Sequence, residues 1–315
     1  MRVAILDGYQ RVARGLADWD RLPAGSELAV LDRHVADREE LVRALEPFDV
    51  LVAMRERTPF PADLLDRLPR LRLLVTTGMR NASIDLDACR RRGVAVCGTG
   101  GAGLPTAELA WGLILALAKR ITAEDRAVRA GAWQTGLTAD LGGRRLGVVG
   151  LGRLGTRVAA VGAAFGMEVV AWSPNLTAGR AAEGGAAPVG KRELFATADV
   201  VSLHLVLSGR TRGVVGAGEI GAMRPSALFV NTARAGLVDQ DALLAALRAG
   251  RIAGAGLDVF PVEPLPADDP LLALPNVVLT PHLGYVTAEG YAVFYHDALE
   301  DILAWAAGRP VRLLA

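Results

Sequence analysis

Residues 144–173 read RRLGVVGLGRLGTRVAAVGAAFGMEVVAWS: an apolar strand, a loop with Gly150, Gly152 and Gly155, a helix, and a second apolar strand. Each glycine in such a loop has its own task. The first makes the tight turn, the second lets backbone approach a pyrophosphate, and the third lets helix and strand pack closely. The amides at the helix start, near Arg153 and Leu154, face the anion and are aided by the helix dipole. A lone GxGxxG is a weak signal, but strand, loop, helix and strand in this order form a dinucleotide fingerprint. The second strand ends at Ser173, eighteen residues beyond Gly155. NAD-binding chains usually place an acid there for the adenine ribose. Without that acid a 2′-phosphate meets no repulsion, so the reading leans to NADP and leaves NAD open. Ser173, Asn175 and Thr177 offer hydrogen bonds to such a phosphate, and Arg180 a counter-charge.

Outward from the fingerprint, short apolar runs alternate with helical patterns, the signature of parallel sheets covered on both faces. Strands are expected at 3–7, 49–54, 71–76 and 94–97, and again at 146–150, 168–172, 199–205, 227–232, 254–260 and 276–280. Between the two groups lies GTGGAGLP (98–105), a candidate hinge. A long helix is expected to run from Pro105-Thr106 through AELAWGLILALAKRITAEDRAVRAG. Its first half is apolar nearly all round, which favours a subunit interface over burial within one subunit. A last helix starts near Thr287.

The chain has 315 residues, more than one core usually organises, and half are apolar. Thirty-five basic residues balance 34 acidic ones, so no basic stripe points to a nucleic-acid partner. Cys89 and Cys97 are the only cysteines. Neither lies in a metal-type cluster, so no metal is expected, and the pair suits a reducing compartment. The opening MRVAILDGYQ reads as strand and turn rather than as a leader. The longest apolar run, LAWGLILALA, has ten residues, about half of what spans a bilayer. A soluble, cytoplasmic protein with no membrane partner is expected.

Three residues have the chemistry for hydride transfer. His282, in LTPHLGY beside Gly284, follows a strand and carries an imidazole, the side-chain type suited to proton exchange in catalysis. Of the other histidines, His34 and His296 read as ordinary surface positions, while His204 and the adjoining Leu205 end a strand and border the cofactor. Glu263, in FPVEPLP, sits between prolines that fix its backbone. Such a residue is usually a solvated loop acid, but bonded to the histidine it would set the ring's tautomer and favour the imidazolium. Arg234, in NTARAGLVD, follows a strand at its carboxyl end, where open α/β sheets bind ligands. Its guanidinium can grip a carboxylate at two points and polarise a neighbouring carbonyl.

With GLGRLG, NTARAGLVD, GAGLDVFPVEPLP and LTPHLGY in place, the chain resembles the D-isomer-specific 2-hydroxyacid dehydrogenases. That family includes D-glycerate, glyoxylate/hydroxypyruvate and 3-phosphoglycerate dehydrogenases. The resemblance implies two doubly wound α/β domains: a Rossmann dinucleotide-binding domain (99–285) inserted in a flavodoxin-like substrate domain (1–98 and 286–315). It implies a homodimer built on the long helix and a small 2-keto or 2-hydroxy acid substrate. His282 would be the acid/base, Glu263 its partner, and Arg234 the group that binds substrate carboxylate and carbonyl. Asp258 would hold the nicotinamide carboxamide, and Thr232 and Ala233 would border its ribose. A clamp of the two domains would exclude water.

The chain departs from the family in its substrate loop. TTGMRNASID keeps Gly78, followed by Met79, and places Arg80 and Ser83 where a glycine and an asparagine are usual. Arg55 and Arg57, in AMRERTPF, occupy a segment that faces substrate in relatives. These arginines suit either a second anionic group on the substrate or a wet cleft. Tyr285 replaces a small residue. Formate dehydrogenases share the fold but place glutamine at the Glu263 position. A phosphite dehydrogenase-like enzyme and a dinucleotide-sensing, corepressor-like scaffold both keep the three residues and stand as rivals.

Overall fold

The computed structural model describes residues 1–101 and 103–315; Ala102, within the glycine-rich stretch marked as a hinge, lies outside the described residues. The chain forms two compact units, Met1–Gly103 with Val286–Ala315, and Leu104–Tyr285.

The first unit holds five parallel strands, β1 (Arg2–Ile5), β2 (Glu27–Val30), β3 (Val50–Ala53), β4 (Leu73–Thr76) and β5 (Ala95–Gly98), in the order β2-β1-β3-β4-β5. This is the flavodoxin-like order, with its switch point between β1 and β3. β2 has no counterpart among the expected strands. It is an edge strand with no fully buried residue, so its sequence lacks the continuous apolar run of the central strands. The helix Arg38–Leu45 is capped by Asp37, which accepts from the Glu40 amide at 2.8 Å, a contact worth about 1 kcal/mol. It lays Leu41 and Leu45 on a core with Phe48, Leu51, Phe60 and Leu74. β5 is no bare edge, because residues 312–315 run beside it and bridge Leu313 to Cys97 in antiparallel sense.

The second unit holds seven strands: β6 (Arg145–Val149), β7 (Glu168–Trp172), β8 (Ala187–Pro188), β9 (Val200–Leu203), β10 (Leu228–Asn231), β11 (Gly254–Leu257) and β12 (Val277–Leu279). Their order is β12-β11-β10-β9-β6-β7-β8, all parallel. Counted within the unit this is 3-2-1-4-5-6 with a seventh strand added, the Rossmann arrangement.

The expected long helix is two helices, Pro105–Ala118 and Ile121–Arg129. The chain breaks at Arg120, whose φ is +52°, and neither glycine nor proline announces that turn. The all-round apolar character of the first helix also has a cause within the unit. Ala107, Ala110, Trp111, Leu113, Ile114 and Ala118 are buried there, with Leu113 against Gly256 of β11 and the Trp111 indole bonded to the Val158 carbonyl. The exposed apolar groups come later, at Ile121, Val128, Trp133 and Leu137. No helix among the described residues is long and apolar enough to cross a membrane.

Candidate active site

Because the strands of the second unit are parallel, the loops after β6, β9, β10, β11 and β12 leave one edge of one sheet. After β6, Gly150 turns with φ +100°, and a β carbon on it would stand 2.8 Å from the His204 carbonyl carbon. A β carbon on Gly155 would meet the Gly150 carbonyl oxygen at 2.0 Å, so the helix Arg153–Ala164 rests directly on the loop. A β carbon on Gly152 would meet nothing within 4 Å. One glycine serves the turn, one serves packing, and the middle one leaves open space before a helix N-terminus, the kind of opening at which backbone amides receive an anion.

His204 follows β9 and bonds through its amide to the Val149 carbonyl at 2.8 Å. Its Nε2 shares a hydrogen bond with Ser202 Oγ at 2.9 Å. Burial draws its pKa down to about 4, so beside the glycine loop it is a neutral ring at physiological pH. Leu205 lines the same turn, its amide nitrogen 2.9 Å from where a Gly150 β carbon would lie. Thr232, after β10, is buried, and its hydroxyl has no hydrogen-bond partner. An unmet buried hydroxyl costs about 1–3 kcal/mol, and the ribose of a dinucleotide would satisfy it. Ser173 follows β7 directly and is half-buried, with its carbonyl accepting from Leu176; Thr177 caps the helix Ala178–Glu183.

The turn after β10 is held by Asn231, a buried side chain that bonds the Ala233 amide and the Arg234 carbonyl, each at 3.0 Å. Arg234 Nη1 donates to the Ala233 carbonyl at 2.7 Å. After β11, Glu263 Oε1 accepts from the Phe260 amide at 2.9 Å, and Oε2 accepts from His282 Nδ1 at 2.6 Å. Burial pushes the Glu263 pKa up, but the His282 bond and charge, the Phe260 amide and the Arg234 charge outweigh it. The net shift is downward. The carboxylate is therefore ionised opposite the ring. Tyr285 meets the His282 ring edge-on, with centroids 5.4 Å apart.

His282 has φ +54°, and its amide bonds the Thr280 carbonyl two residues back. Asp258, wholly buried, secures this loop by accepting from Thr280 Oγ1 at 2.6 Å and from the Leu283 and Gly284 amides at 2.7 and 3.0 Å. Burial raises its pKa against those donors. A β carbon on Gly284 would stand 3.2 Å from that carboxylate and from Thr106, whose hydroxyl bonds the Gly284 carbonyl. The work of Asn231 and of Asp258 as loop anchors was not read from the sequence. Their signal is a buried polar side chain at the carboxyl end of a strand, Asn231 closing β10 and Asp258 following β11.

In the first unit, Arg55 and Gly78 lie together. Arg55 has φ +53°, and its Nη1 would be 1.9 Å from a β carbon on Gly78, itself at φ +90°. Arg55 bonds the Thr77 carbonyl and hydroxyl. The Gly78 amide is spent on Thr99 Oγ1 at 2.8 Å, so Gly78 gives a slot for a guanidinium rather than a donor for an anion. Met79 and Arg80 are exposed. Arg57 bonds the Asp7 carbonyl at 2.9 Å and lies over the Tyr9 ring. Among the described residues, no group of His, Cys, Asp and Glu could hold a metal ion.

Residues 111–284 match the family described as D-isomer specific 2-hydroxyacid dehydrogenase, NAD binding domain. Glyoxylate reductase of Aeropyrum pernix is 40% identical over 78% of the chain and 77% of its own length. D-3-phosphoglycerate dehydrogenase of Archaeoglobus fulgidus is 37% identical over 87% of the chain but 53% of its own length, so the chain spans about half of that relative. Among solved structures, a phosphoglycerate oxidoreductase from Vibrio cholerae O395 is 41% identical with a TM-score of 0.93, covering 98% of this chain and 99% of its own.

Proposed function

The chain belongs to the D-isomer-specific 2-hydroxyacid dehydrogenases, and on that premise we propose that it interconverts a 2-keto acid and a D-2-hydroxy acid. The bond of 2.6 Å between His282 and Glu263, at the sheet edge that carries the glycine loop, is the observation that supports this most. A nicotinamide dinucleotide held at the glycine loop would supply the hydride that reduces C2 of the keto acid. His282 delivers the accompanying proton to the carbonyl oxygen from Nε2. Glu263 holds Nδ1–H, fixing the tautomer and stabilising the imidazolium before transfer. In the oxidative direction the neutral ring takes the hydroxyl proton. Arg234 grips the substrate carboxylate and polarises the carbonyl. Arg55, Met79 and Arg80 contact substrate, with Gly78 giving Arg55 its seat.

Gly150, Gly152, Arg153, Leu154 and Gly155 would hold the pyrophosphate. His204, Leu205, Thr232, Ala233, Asp258 and Gly284 would border the nicotinamide half. The cofactor reading leans to NADP, because Ser173 stands where an acid would repel a 2′-phosphate. The two free, buried thiols suit the cytoplasm. A homodimer is proposed through the exposed apolar groups of residues 121–137.

The test is oxidation of NADH and NADPH with glyoxylate, hydroxypyruvate, pyruvate and a bulky 2-keto acid, and reduction of NAD(P) with phosphite. Turnover of a keto acid is expected. Tight dinucleotide binding with no turnover would favour a sensing scaffold, and reduction driven by phosphite alone would favour that chemistry.

A further inference from the structure

We propose that Arg312 is a positioning residue for substrate: by pinning the C-terminal tail along β5, it sets where the loop Gly78–Arg80 stands. This rests on the reading that the loop receives substrate. Arg312 has φ +50°, a left-handed conformation uncommon outside glycine. Its Nε donates to Asp301 Oδ1 at 3.0 Å, and its Nη2 to the Asp297 carbonyl at 2.9 Å and to Glu300 Oε2 at 3.2 Å. Asp301 is wholly buried, and its Oδ2 has no hydrogen-bond partner. A buried carboxylate persists only with a close partner, so the guanidinium is committed to the helix Ala288–Ala306, which carries all three acids.

From that anchor the tail closes along β5. The Gly98 amide donates to the Arg312 carbonyl at 3.0 Å, the Leu314 amide to Val96 at 2.7 Å, and the Val96 amide to Ala315 at 2.8 Å. Two routes then lead to the loop. A β carbon on Gly98 would stand 2.8 Å from the Gly78 carbonyl oxygen and 3.2 Å from both the Met79 α carbon and Leu314 Cδ1. Tail, strand and loop are therefore in contact through a glycine with no spare room. Thr99, the next residue, accepts the Gly78 amide. Gly100 then donates to Asp297 Oδ2 at 2.7 Å, which returns the path to the helix turn that holds Arg312.

A tail that merely covered a sheet edge would need backbone pairing alone. It would need neither a left-handed arginine among three acids nor a leucine pressed toward the loop.

Arg312→Ala strands the Asp301 carboxylate and endangers folding, so the test uses Leu314→Ala, which leaves the ionic cluster intact, beside Arg312→Lys, which keeps charge but loses the planar fork. For each we would measure kcat, KM for the keto acid, dinucleotide Kd, and hydrogen exchange of amides 76–82 in the intact protein. The expected result is a KM raised roughly tenfold, within the hundredfold that a 1 Å misplacement can cost. Dinucleotide Kd should hold and exchange at 76–82 should quicken, with kcat the less affected constant. Folded variants with unchanged KM and exchange would reduce the tail to an edge cover and overturn the proposal; so would a raised KM with unaltered exchange. A wild-type protein that turned over no keto acid would instead sink the reading beneath it, while exchange at 76–82 would still report whether tail and loop are coupled.

Discussion

His282 occupies a backbone conformation that costs about 1–3 kcal/mol, and the Asp258 carboxylate offsets it with three hydrogen bonds. Bonds to a charged group contribute about 1.5–3 kcal/mol each, so the loop keeps its shape whatever side chain stands at 282. His282→Ala is therefore expected to lower kcat by about 10²–10⁴ while leaving dinucleotide affinity in place, measured by fluorescence titration. A parallel loss of both would make the ring structural. At the other end of the proposed cofactor site, Ser173→Asp should move the NADPH/NADH preference toward NADH by at least roughly tenfold, since a carboxylate would repel a 2′-phosphate. An unmoved ratio would place adenine recognition elsewhere.

The helix Arg153–Ala164 and its loop permit a cleaner separation of stability from binding, because their glycines meet different surroundings. Gly155→Ala drives a β carbon against a backbone oxygen and should cost at least about 1–3 kcal/mol in chemical denaturation. Gly152→Ala meets open space and should leave stability within about 0.5 kcal/mol, yet weaken dinucleotide binding by roughly tenfold or more. Equal effects of the two would contradict the cradle. This loop was legible in the sequence because its physics is local: a glycine's missing β carbon is written in its letter. The central strands were legible for a similar reason, as runs such as VLVA and LRLLVT have few other uses. Edge strands β2 and β8 were not, since one is half-exposed and the other has two residues. Nor was the break at Arg120, which no glycine or proline marks and where the guanidinium lies close to Gly136. Arg234, Glu263 and His282 could be named from their places after strands, whereas Asn231 and Asp258 as anchors needed coordinates.

At the scale of the whole molecule, two desolvated groups, half-buried His204 and buried Asp301, tilt stability with pH in opposite senses. His204 falls from 6.5 to about 4, so its contribution is present above pH 6.5 and is lost as pH drops through 4. For Asp301, burial dominates over the Arg312 charge and lifts the carboxyl from 3.8 to about 7. Its contribution is full in acid and fades as pH rises through 7. Thermal midpoints should show this by difference: His204→Gln flattens the acid limb, and Asp301→Asn removes the decline toward neutrality. A wild-type curve superimposing on both variants would contradict the assignment. Among the described residues, two hydrophobic clusters draw on Leu104–Tyr285 and one on the remainder. Residues 104–285 expressed alone should thus unfold cooperatively and still bind dinucleotide, by calorimetry; a molten fragment would count against autonomy. Since that stretch is uninterrupted, two cuts would lift it out for grafting into a foreign host, whereas its companion, threaded from two separate lengths, could be transplanted only after a splice.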